Sequence, residues 1–206
     1  MVQTIALIDY GAGNLRSVAN ALRSAGAGSI VITGDPDAVM QADRIVLPGV
    51  GAFKHCIDAL NAIDGLVDAL DARVRRDGAP FLGICVGMQL LADAGEEHGR
   101  HRGLGWIGGT VRVLCPAQRQ VRVPHMGWND VVASAPHPLI SAGEAYFLHS
   151  YHFDACAVEA TVATTDHGGP VVAAVAHDTI IGVQFHPEKS QGYGLRFLER
   201  FLAWRP

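Results

Sequence analysis

The chain has 206 residues, 49% of them hydrophobic and 17% charged, which is enough apolar sequence to bury a sizeable core and excludes disordered and fibrous classes. Its net charge is −4 and it has no long basic run, so nucleic acid and anionic membranes are not expected partners. No stretch approaches the roughly 18 apolar residues of a membrane helix and no signal-peptide pattern opens the chain, so we expect a soluble, cytoplasmic protein.

In the first half of the chain, short apolar runs alternate with helical patterns. The apolar runs predict strands at residues 4–9, 29–33, 44–47 and 81–84. Helices are predicted at 15–25, from the Asp35-Pro36 pair onward, at 52–76 with a break near Gly65, and at 86–92. This alternating order is typical of a parallel sheet covered by helices on both faces.

After Gly103 the pattern changes to short strand-like runs without long helices between them. Strands are predicted at 110–114, 121–123, 128–133, 146–148, 160–164, 171–176 and 180–184, and a closing helix at 192–204 carries Leu195, Leu198 and Leu202 on one stripe. We therefore predict an α/β fold with a mostly parallel open sheet, helices on both faces and a small antiparallel extension. No repeat or linker divides the chain, so residues 1–206 are predicted to form one domain.

The four cysteines, Cys56, Cys85, Cys115 and Cys156, are widely spaced and include no CxxC pair. This spacing argues against a zinc site, and the size and expected compartment of the chain argue against a disulfide framework. Most of the four are therefore predicted to be inert packing residues. Cys85 is the exception, because of the turn in which it lies.

Cys85 is the centre of a G-x-C-x-G motif, residues 83–87, between a predicted strand and a predicted helix. A nucleophile at such an elbow has strained backbone geometry, and flanking glycines remove Cβ atoms that would clash there. The following helix N-terminus favours a thiolate, and the N–H of Val86 is free to face an oxyanion. The alternative is a buried cysteine in an ordinary glycine-rich turn.

Two further motifs follow predicted strands. His186 ends one strand and Glu188 lies two residues later, so Glu188 is placed to hydrogen-bond the imidazole and set its tautomer. Sites in open α/β sheets form at the carboxyl ends of strands, so His186 and Cys85 are expected to meet. The segment PGVG (48–51) ends another strand and offers N–H groups for a second half of an oxyanion hole, although alone it is an ordinary turn.

In this order and spacing, the motifs resemble the class I glutamine amidotransferases, and among them the glutaminase subunits of imidazole glycerol phosphate synthases. The resemblance covers nearly the full chain. It is carried by the segments IDYGAGNL (8–15), PGVGAF (48–53), PHMGWN (124–129), FLHSY (147–151) and GVQFHPEKS (182–190), together with the cysteine elbow.

The resemblance implies hydrolysis of glutamine through a γ-glutamyl thioester, without metal or cofactor. Cys85 attacks the side-chain amide, His186 carries the proton to the leaving ammonia, and Glu188 orients His186. It further implies an oxyanion hole at Val50, Gly51 and Val86, and glutamine-binding residues Gln89, His149 and Ser150.

The resemblance also implies a protein partner. The ammonia passes into a (β/α)8-barrel cyclase subunit of a heterodimer, which makes imidazole glycerol phosphate and an aminoimidazole carboxamide ribonucleotide in histidine biosynthesis. A sealed path has a physical reason, because ammonia protonates near neutral pH and loses its nucleophilicity. Asn14, Arg16 and Trp128 lie in segments that resemble the contact surface, and arginine and large aromatic residues are common interface anchors. The alternative for Trp128 is a core aromatic.

Two other interpretations compete with this one. A glutaminase of another pathway, such as anthranilate, guanylate or pyridoxal phosphate synthesis, is disfavoured by the PGVG and PHMGWN segments. A non-catalytic protein using Cys85 as a redox sensor would not need His186 and Glu188.

A dinucleotide site at residues 11–13 is rejected because Arg16 stands where the third glycine belongs. The histidine pairs 98/101 and 149/152 lack the form of a metal motif.

Overall fold

The apolar runs of the chain form strands in the computed structural model, which describes residues 3–117 and 120–206. The strands are β1 (Thr4–Ile8), β2 (Ser29–Thr33), β3 (Arg44–Gly49), β4 (Phe81–Cys85), β5 (Ala94–Gly95), β6 (His101–Arg102), β7 (Gly109–Val113), β8 (His125–Ala133), β9 (Gly143–His149), β10 (Tyr151–Ala155), β11 (Thr161–Asp166), β12 (Pro170–His177) and β13 (Ile180–Val183). The helices are α1 (Leu15–Ser24), α2 (Pro36–Gln41), α3 (Phe53–Asn61), α4 (Leu66–Asp71), α5 (Val86–Gln89) and α6 (Gln191–Ala203).

Within the described residues, nine strands form one sheet in the order β2-β1-β3-β4-β13-β12-β11-β8-β9. The neighbours from β2 to β13 are parallel, and β12, β11, β8 and β9 continue the sheet in antiparallel fashion. The short strands β10, β7, β5 and β6 form a second sheet. The predicted α/β fold with a parallel sheet and an antiparallel extension is confirmed.

The three central strands are buried along their whole length, because they are covered on both faces. β3, β4 and β13 lie side by side, with Gly49 opposite Cys85 and Val183 opposite Ile84. Their carboxyl ends therefore reach the same edge of the sheet. The loops that carry the three predicted motifs follow these strands, so the topology alone brings the motifs together.

The helices bury one face each, as the periodicity predicts. α1 buries Val18, Ala19 and Leu22. The closing helix α6 is confirmed. Of the three predicted leucines, Leu198 is buried, whereas Leu195 and Leu202 are only partly buried; the rest of the buried face consists of Tyr193, Gly194, Phe197 and Phe201. The predicted break in the third helix is confirmed at Gly65, whose φ of +72° suits glycine.

Two predictions at the element level are wrong, and the strands β5, β6 and β10 were not predicted. Residues 121–123 form bends rather than a strand, since no neighbouring strand pairs with this β-branched segment. The helix predicted at 86–92 ends at Gln89, and the carbonyls of Leu90 and Ala92 instead accept N–H groups from residues 104 and 105. Of the strands that were not predicted, β10 follows β9 directly and pairs with β7.

The four cysteines differ in their exposure to solvent. Cys56 and Cys85 are buried, whereas Cys115 and Cys156 are exposed. The prediction of packing residues is therefore wrong for Cys115 and Cys156, which lie on loops outside the strands and helices.

Candidate active site

Cys85 occupies the turn from β4 into α5 with φ of +54° and ψ of −113°. A non-glycine residue in such a region costs on the order of 1–3 kcal/mol and is typical of a functional position. The flanking glycines are required by close packing. A Cβ on Gly87 would lie 1.9 Å from the Leu47 carbonyl oxygen, and one on Gly83 would lie 2.6 Å from the Gly87 carbonyl oxygen. The clash predicted from the G-x-C-x-G motif is confirmed.

His186 follows β13 and is hydrogen-bonded to Glu188. Its Nδ1 lies 2.9 Å from Oε1 of Glu188, and the side chains are only 4% and 2% exposed. The Pro187–Lys189 3₁₀ turn carries Glu188 back beneath the imidazole. Because Nδ1 faces the carboxylate, Nε2 is the nitrogen left for Cys85.

Ser190 holds the backbone of His186, a role that sequence reasoning missed. Its Oγ donates to the His186 carbonyl at 2.7 Å and accepts from the Tyr146 N–H at 2.9 Å. The His186 N–H in turn donates to the Tyr146 carbonyl at 2.9 Å. Ser190 is completely buried, so its hydroxyl needs such partners; in the sequence, the only signal is a serine directly after the His-Pro-Glu-Lys segment.

The pKa of His186 is raised from 6.5 to about 10 by its neighbours. Burial is the largest single influence and lowers the pKa, because it disfavours the charged ring. Hydrogen bonds to Cys85 and Glu188, together with their negative charges, outweigh burial. The imidazolium form is therefore favoured beside the nucleophile.

A cavity of about 210 Å³ opens above Cys85. Every predicted catalytic, oxyanion and glutamine-binding residue lines it except Glu188, which lies behind His186. The complete lining is Val50, Gly51, Cys85, Val86, Gln89, Glu97, Leu148, His149, Ser150, Tyr151, His186 and Lys189. As the first residue of α5, Val86 has a backbone N–H without an intrahelical acceptor.

Gln89 reaches Cys85 through a second glutamine. Its Nε2 donates to the Tyr151 carbonyl at 3.0 Å and to Oε1 of Gln184 at 2.9 Å. Gln184 then places its own Nε2 3.6 Å from the Cys85 sulfur. Gln184 was not predicted, although a fully buried polar residue at the end of an apolar strand is a signal for such a role.

His149 has both ring nitrogens occupied by the protein. Nδ1 lies 2.8 Å from the Tyr151 carbonyl, which only accepts, so Nε2 accepts from Nδ1 of His125 at 2.9 Å. Burial, with a smaller contribution from the charge of His125, lowers its pKa to about 3 and keeps the ring neutral. We therefore expect the backbone groups of His149, rather than its imidazole, to make the predicted contact with glutamine.

Two charged residues in the lining were not predicted. Glu97 accepts from the Phe53 N–H at 2.7 Å, where α3 begins, and Lys189 lies 5.6 Å above the ring of Tyr146. Each contributes to the same small cavity. Neither stands in a recognisable spacing with Cys85, so no signal in the sequence would have identified them.

The predicted contact residues are exposed. Trp128 on β8 is 46% exposed, so its alternative as a core aromatic is wrong. On the same face, Met126 pairs with Leu148, and Trp128 pairs with Tyr146. We call these four residues the β8–β9 apolar patch; Leu148 also lines the cavity.

Asn14 and Arg16 are exposed at the start of α1. This helix packs against the Pro187–Lys189 turn that carries Glu188. The two residues therefore lie at the edge of the sheet where the cavity opens. The sequence gives no indication of this contact, because α1 and the Pro187–Lys189 turn lie at opposite ends of the chain.

No helix among the described residues is long and apolar enough to cross a bilayer. Within residues 3–117 and 120–206, no group of three or more His, Cys, Asp or Glu side chains is arranged to hold a metal ion.

Comparison with known proteins identifies a family and close relatives. The family model for class I glutamine amidotransferases matches residues 6–203. The imidazole glycerol phosphate synthase subunit HisH of Zymomonas mobilis is 62% identical over 206 residues, covering 98% of this chain and 97% of its own length. The HisH subunit of Rhodospirillum rubrum is 50% identical, with 98% and 99% coverage.

Solved structures share the fold at low identity. PurLQS from Thermotoga maritima matches with a TM-score of 0.72 and 19% identity, over 98% of this chain and 99% of that chain. The glutaminase domain of Trypanosoma brucei CTPS, with bound acivicin, matches with a TM-score of 0.67 and 18% identity, over 99% and 95%.

Proposed function

This chain belongs to the class I glutamine amidotransferase family, and we propose that it hydrolyses glutamine for an imidazole glycerol phosphate synthase of histidine biosynthesis. The observation that carries the proposal is the buried Cys85–His186–Glu188 arrangement at the floor of a cavity. The full-length identity to HisH subunits supports the choice of pathway.

Cys85 and His186 exchange one proton during the reaction. With this shared proton on Nε2 of His186, the Cys85 sulfur attacks the side-chain amide carbon of glutamine. The resulting oxyanion accepts N–H groups from Val86 and from the Val50–Gly51 segment. The imidazolium then protonates the leaving nitrogen, ammonia departs, and a γ-glutamyl thioester is left. Water, deprotonated by His186, hydrolyses the thioester to glutamate and returns Cys85 and His186 to their starting state.

Opposite charges in the cavity suit a free amino acid. Glu97 is an acceptor for the α-ammonium group of glutamine, and Lys189 is a donor for its α-carboxylate. Backbone groups of His149 and Ser150 complete the contacts. A cavity of about 210 Å³ leaves room for one small substrate rather than for a cofactor.

A cyclase subunit is the proposed partner, in a heterodimer. The β8–β9 apolar patch joins the cavity through Leu148, and Met126 is 65% exposed. Exposed apolar residues clustered beside an active site are typical of an interaction surface. Covering this edge of the sheet, with Asn14 and Arg16 at its rim, would enclose the ammonia as it leaves Cys85.

We further infer that residues 1–206 act as one amidotransferase domain in the cytoplasm. The family match spans residues 6–203, and a single sheet runs through the parallel and antiparallel halves. Cys56, Cys85, Cys115 and Cys156 are free thiols, as is usual in a reducing compartment.

Substitution Cys85→Ala tests the proposal in the reconstituted complex with the cyclase. We expect glutamine-dependent synthesis to be lost, because no nucleophile is left, while synthesis from added ammonia continues at the wild-type rate. Glutamate release and imidazole glycerol phosphate formation are the two measurements. The matched control is Cys156→Ala, which removes an exposed thiol and should leave both rates unchanged. Glutamine hydrolysis by Cys85→Ala would refute the nucleophile, and loss of ammonia-dependent synthesis would refute the division of labour.

A further inference from the structure

Residues 48–51, here called the oxyanion loop, lie directly beside the nucleophile. Gly49 is opposite Cys85 in the register of β3 and β4, and Val50 and Gly51 line the cavity. Gly51 has φ of +92°, a left-handed conformation that favours glycine. The direction of each N–H in this loop therefore decides whether an oxyanion on Cys85 is stabilised.

Two buried side chains donate hydrogen bonds to carbonyl groups of the oxyanion loop. The Tyr10 hydroxyl donates to the Pro48 carbonyl at 2.8 Å, and the Cys56 thiol donates to the Val50 carbonyl at 3.3 Å. Tyr10 is 4% exposed and Cys56 is completely buried. The two residues come from separate elements, since Tyr10 follows β1 and Cys56 belongs to α3, yet they act on the same four-residue segment.

Both donors keep their protons at neutral pH. Burial raises the pKa of the Cys56 thiol to about 11. Burial likewise raises the pKa of Tyr10 well above its ordinary value, with further increases from the neighbouring Cys56. An O–H and an S–H are therefore present throughout the range in which the enzyme works.

The planarity of the peptide bond transmits these contacts to the N–H groups. In a trans peptide the carbonyl and the N–H point in opposite directions, so holding one fixes the other. Tyr10 holds the Pro48–Gly49 peptide and Cys56 holds the Val50–Gly51 peptide. The Gly49–Val50 peptide lies between them. Its surroundings are tight, because a Cβ on Gly49 would lie 2.6 Å from the Gly87 nitrogen and 2.9 Å from the Tyr10 hydroxyl.

We propose that Tyr10 and Cys56 are positioning residues for glutamine hydrolysis, which hold the Pro48–Gly49 and Val50–Gly51 peptides on either side of the Gly49–Val50 peptide and so orient the N–H groups of the oxyanion loop. Neither residue touches the substrate. The inference rests on the proposed function and adds to it two residues outside the cavity lining. Formation and hydrolysis of the thioester both pass through an oxyanion, so loss of either bond acts on kcat.

The test uses Tyr10→Phe, Cys56→Ala and Cys56→Ser in the complex with the cyclase and its ligand. Tyr10→Phe and Cys56→Ala should lower kcat for glutamine by about ten- to a hundredfold with little change in KM, somewhat less than direct loss of an oxyanion donor. Cys56→Ser retains a donor and should recover most of the rate. Alkylation of Cys85 by iodoacetamide, which displaces iodide without forming an oxyanion, should proceed at the wild-type rate in all three.

Tyr193→Phe is the matched control for a purely structural effect. Its hydroxyl is also buried and donates to a backbone carbonyl, that of Ser141, at 2.9 Å. It should lower the melting temperature as Tyr10→Phe does, yet leave kcat unchanged. Unchanged kcat in Tyr10→Phe and Cys56→Ala, an equal loss in Tyr193→Phe, or failure of Cys56→Ser to recover would each overturn the inference. A wild-type complex without glutaminase activity would instead refute the proposed function.

Discussion

His186 shows how single residues set the chemistry of this site. Its pKa of about 10 lies above the ordinary 6.5, because interactions with Cys85 and Glu188 overcome the opposing effect of burial. The imidazolium form of His186 therefore persists through neutral pH and is lost only as pH rises through about 10. A protonated ring beside Cys85 is ready to protonate the departing ammonia.

Substitution Glu188→Gln should lower the pKa of His186 from about 10 toward 6.5, because a neutral amide removes one of its anionic neighbours. The amide also offers an N–H to Nδ1, which favours the wrong tautomer. We expect kcat for glutamine to fall by about 10²- to 10⁴-fold. Nitrogen NMR of the His186 ring and kcat as a function of pH measure the two effects.

Glu199→Gln is the matched control for this substitution, since Glu199 is exposed on α6 and lies outside the cavity lining. It should change neither quantity. If the His186 pKa were the same in Glu188→Gln as in the wild type, the assignment of Glu188 as its stabilising partner would be wrong.

Among the elements, β3, β4 and α5 determine the shape of the elbow. α5 is only four residues long, and Gly87 packs against the Leu47 carbonyl of β3. This close approach brings the oxyanion loop and the N-terminus of α5 to either side of Cys85. Because the contact is between backbone atoms, no side chain can move aside to relieve a clash there.

Substitution Gly87→Ala should therefore destabilise the fold and abolish glutamine hydrolysis. Its Cβ would lie 1.9 Å from a backbone oxygen, so β3 and α5 must separate, at a cost of at least about 3 kcal/mol. Gly192→Ala is the matched control at the second residue of α6, where the nearest atom is the end of the Arg196 side chain at 3.2 Å. It should be neutral or stabilising by up to about 1 kcal/mol. Urea unfolding measures both, and equal stabilities would contradict the steric argument.

For the molecule as a whole, the cavity lies where the parallel and antiparallel halves of the structure meet. β9 is the last strand of the sheet, yet its carbonyl at Tyr146 accepts the His186 N–H at 2.9 Å. The same strand ends in His149 and carries Leu148, which line the cavity. The antiparallel half therefore forms one wall of the site and presents the β8–β9 apolar patch beside it.

Substitution Trp128→Ala should weaken binding of the cyclase while leaving the fold intact. A half-exposed tryptophan in the proposed interface is expected to contribute at least about 2 kcal/mol, roughly thirtyfold in Kd. The cost in unfolding free energy should be about 1 kcal/mol or less. Titration calorimetry with the purified cyclase and urea unfolding measure the two. Val158→Ala, at an exposed apolar position outside the patch, should bind normally; normal binding by Trp128→Ala would refute the proposed surface.

Much of the fold and the reactive residues could be predicted from the sequence, because their signals are local. The alternation of apolar runs and helical patterns predicted the central strands, and the short motifs around Cys85 and His186 predicted which strand ends meet at the cavity. The flanking glycines predicted the tight elbow, since a Cβ at either position meets backbone atoms. Resemblance to a family then supplied the roles of the lining residues.

Only the tertiary structure decided how distant segments combine, because long-range packing leaves no periodic signal in the chain. In the folded protein, Gln89 and Gln184 form one chain of hydrogen bonds to Cys85, and both ring nitrogens of His149 are hydrogen-bonded. The tertiary structure also left residues 121–123 without a partner strand and placed Trp128 at the surface. The sequence by itself indicated Cys85 as the candidate nucleophile and His186 as its candidate base. Which residues hydrogen-bond to them, shift the pKa of His186 and shield them from solvent depends on contacts that form only when the sheet is complete.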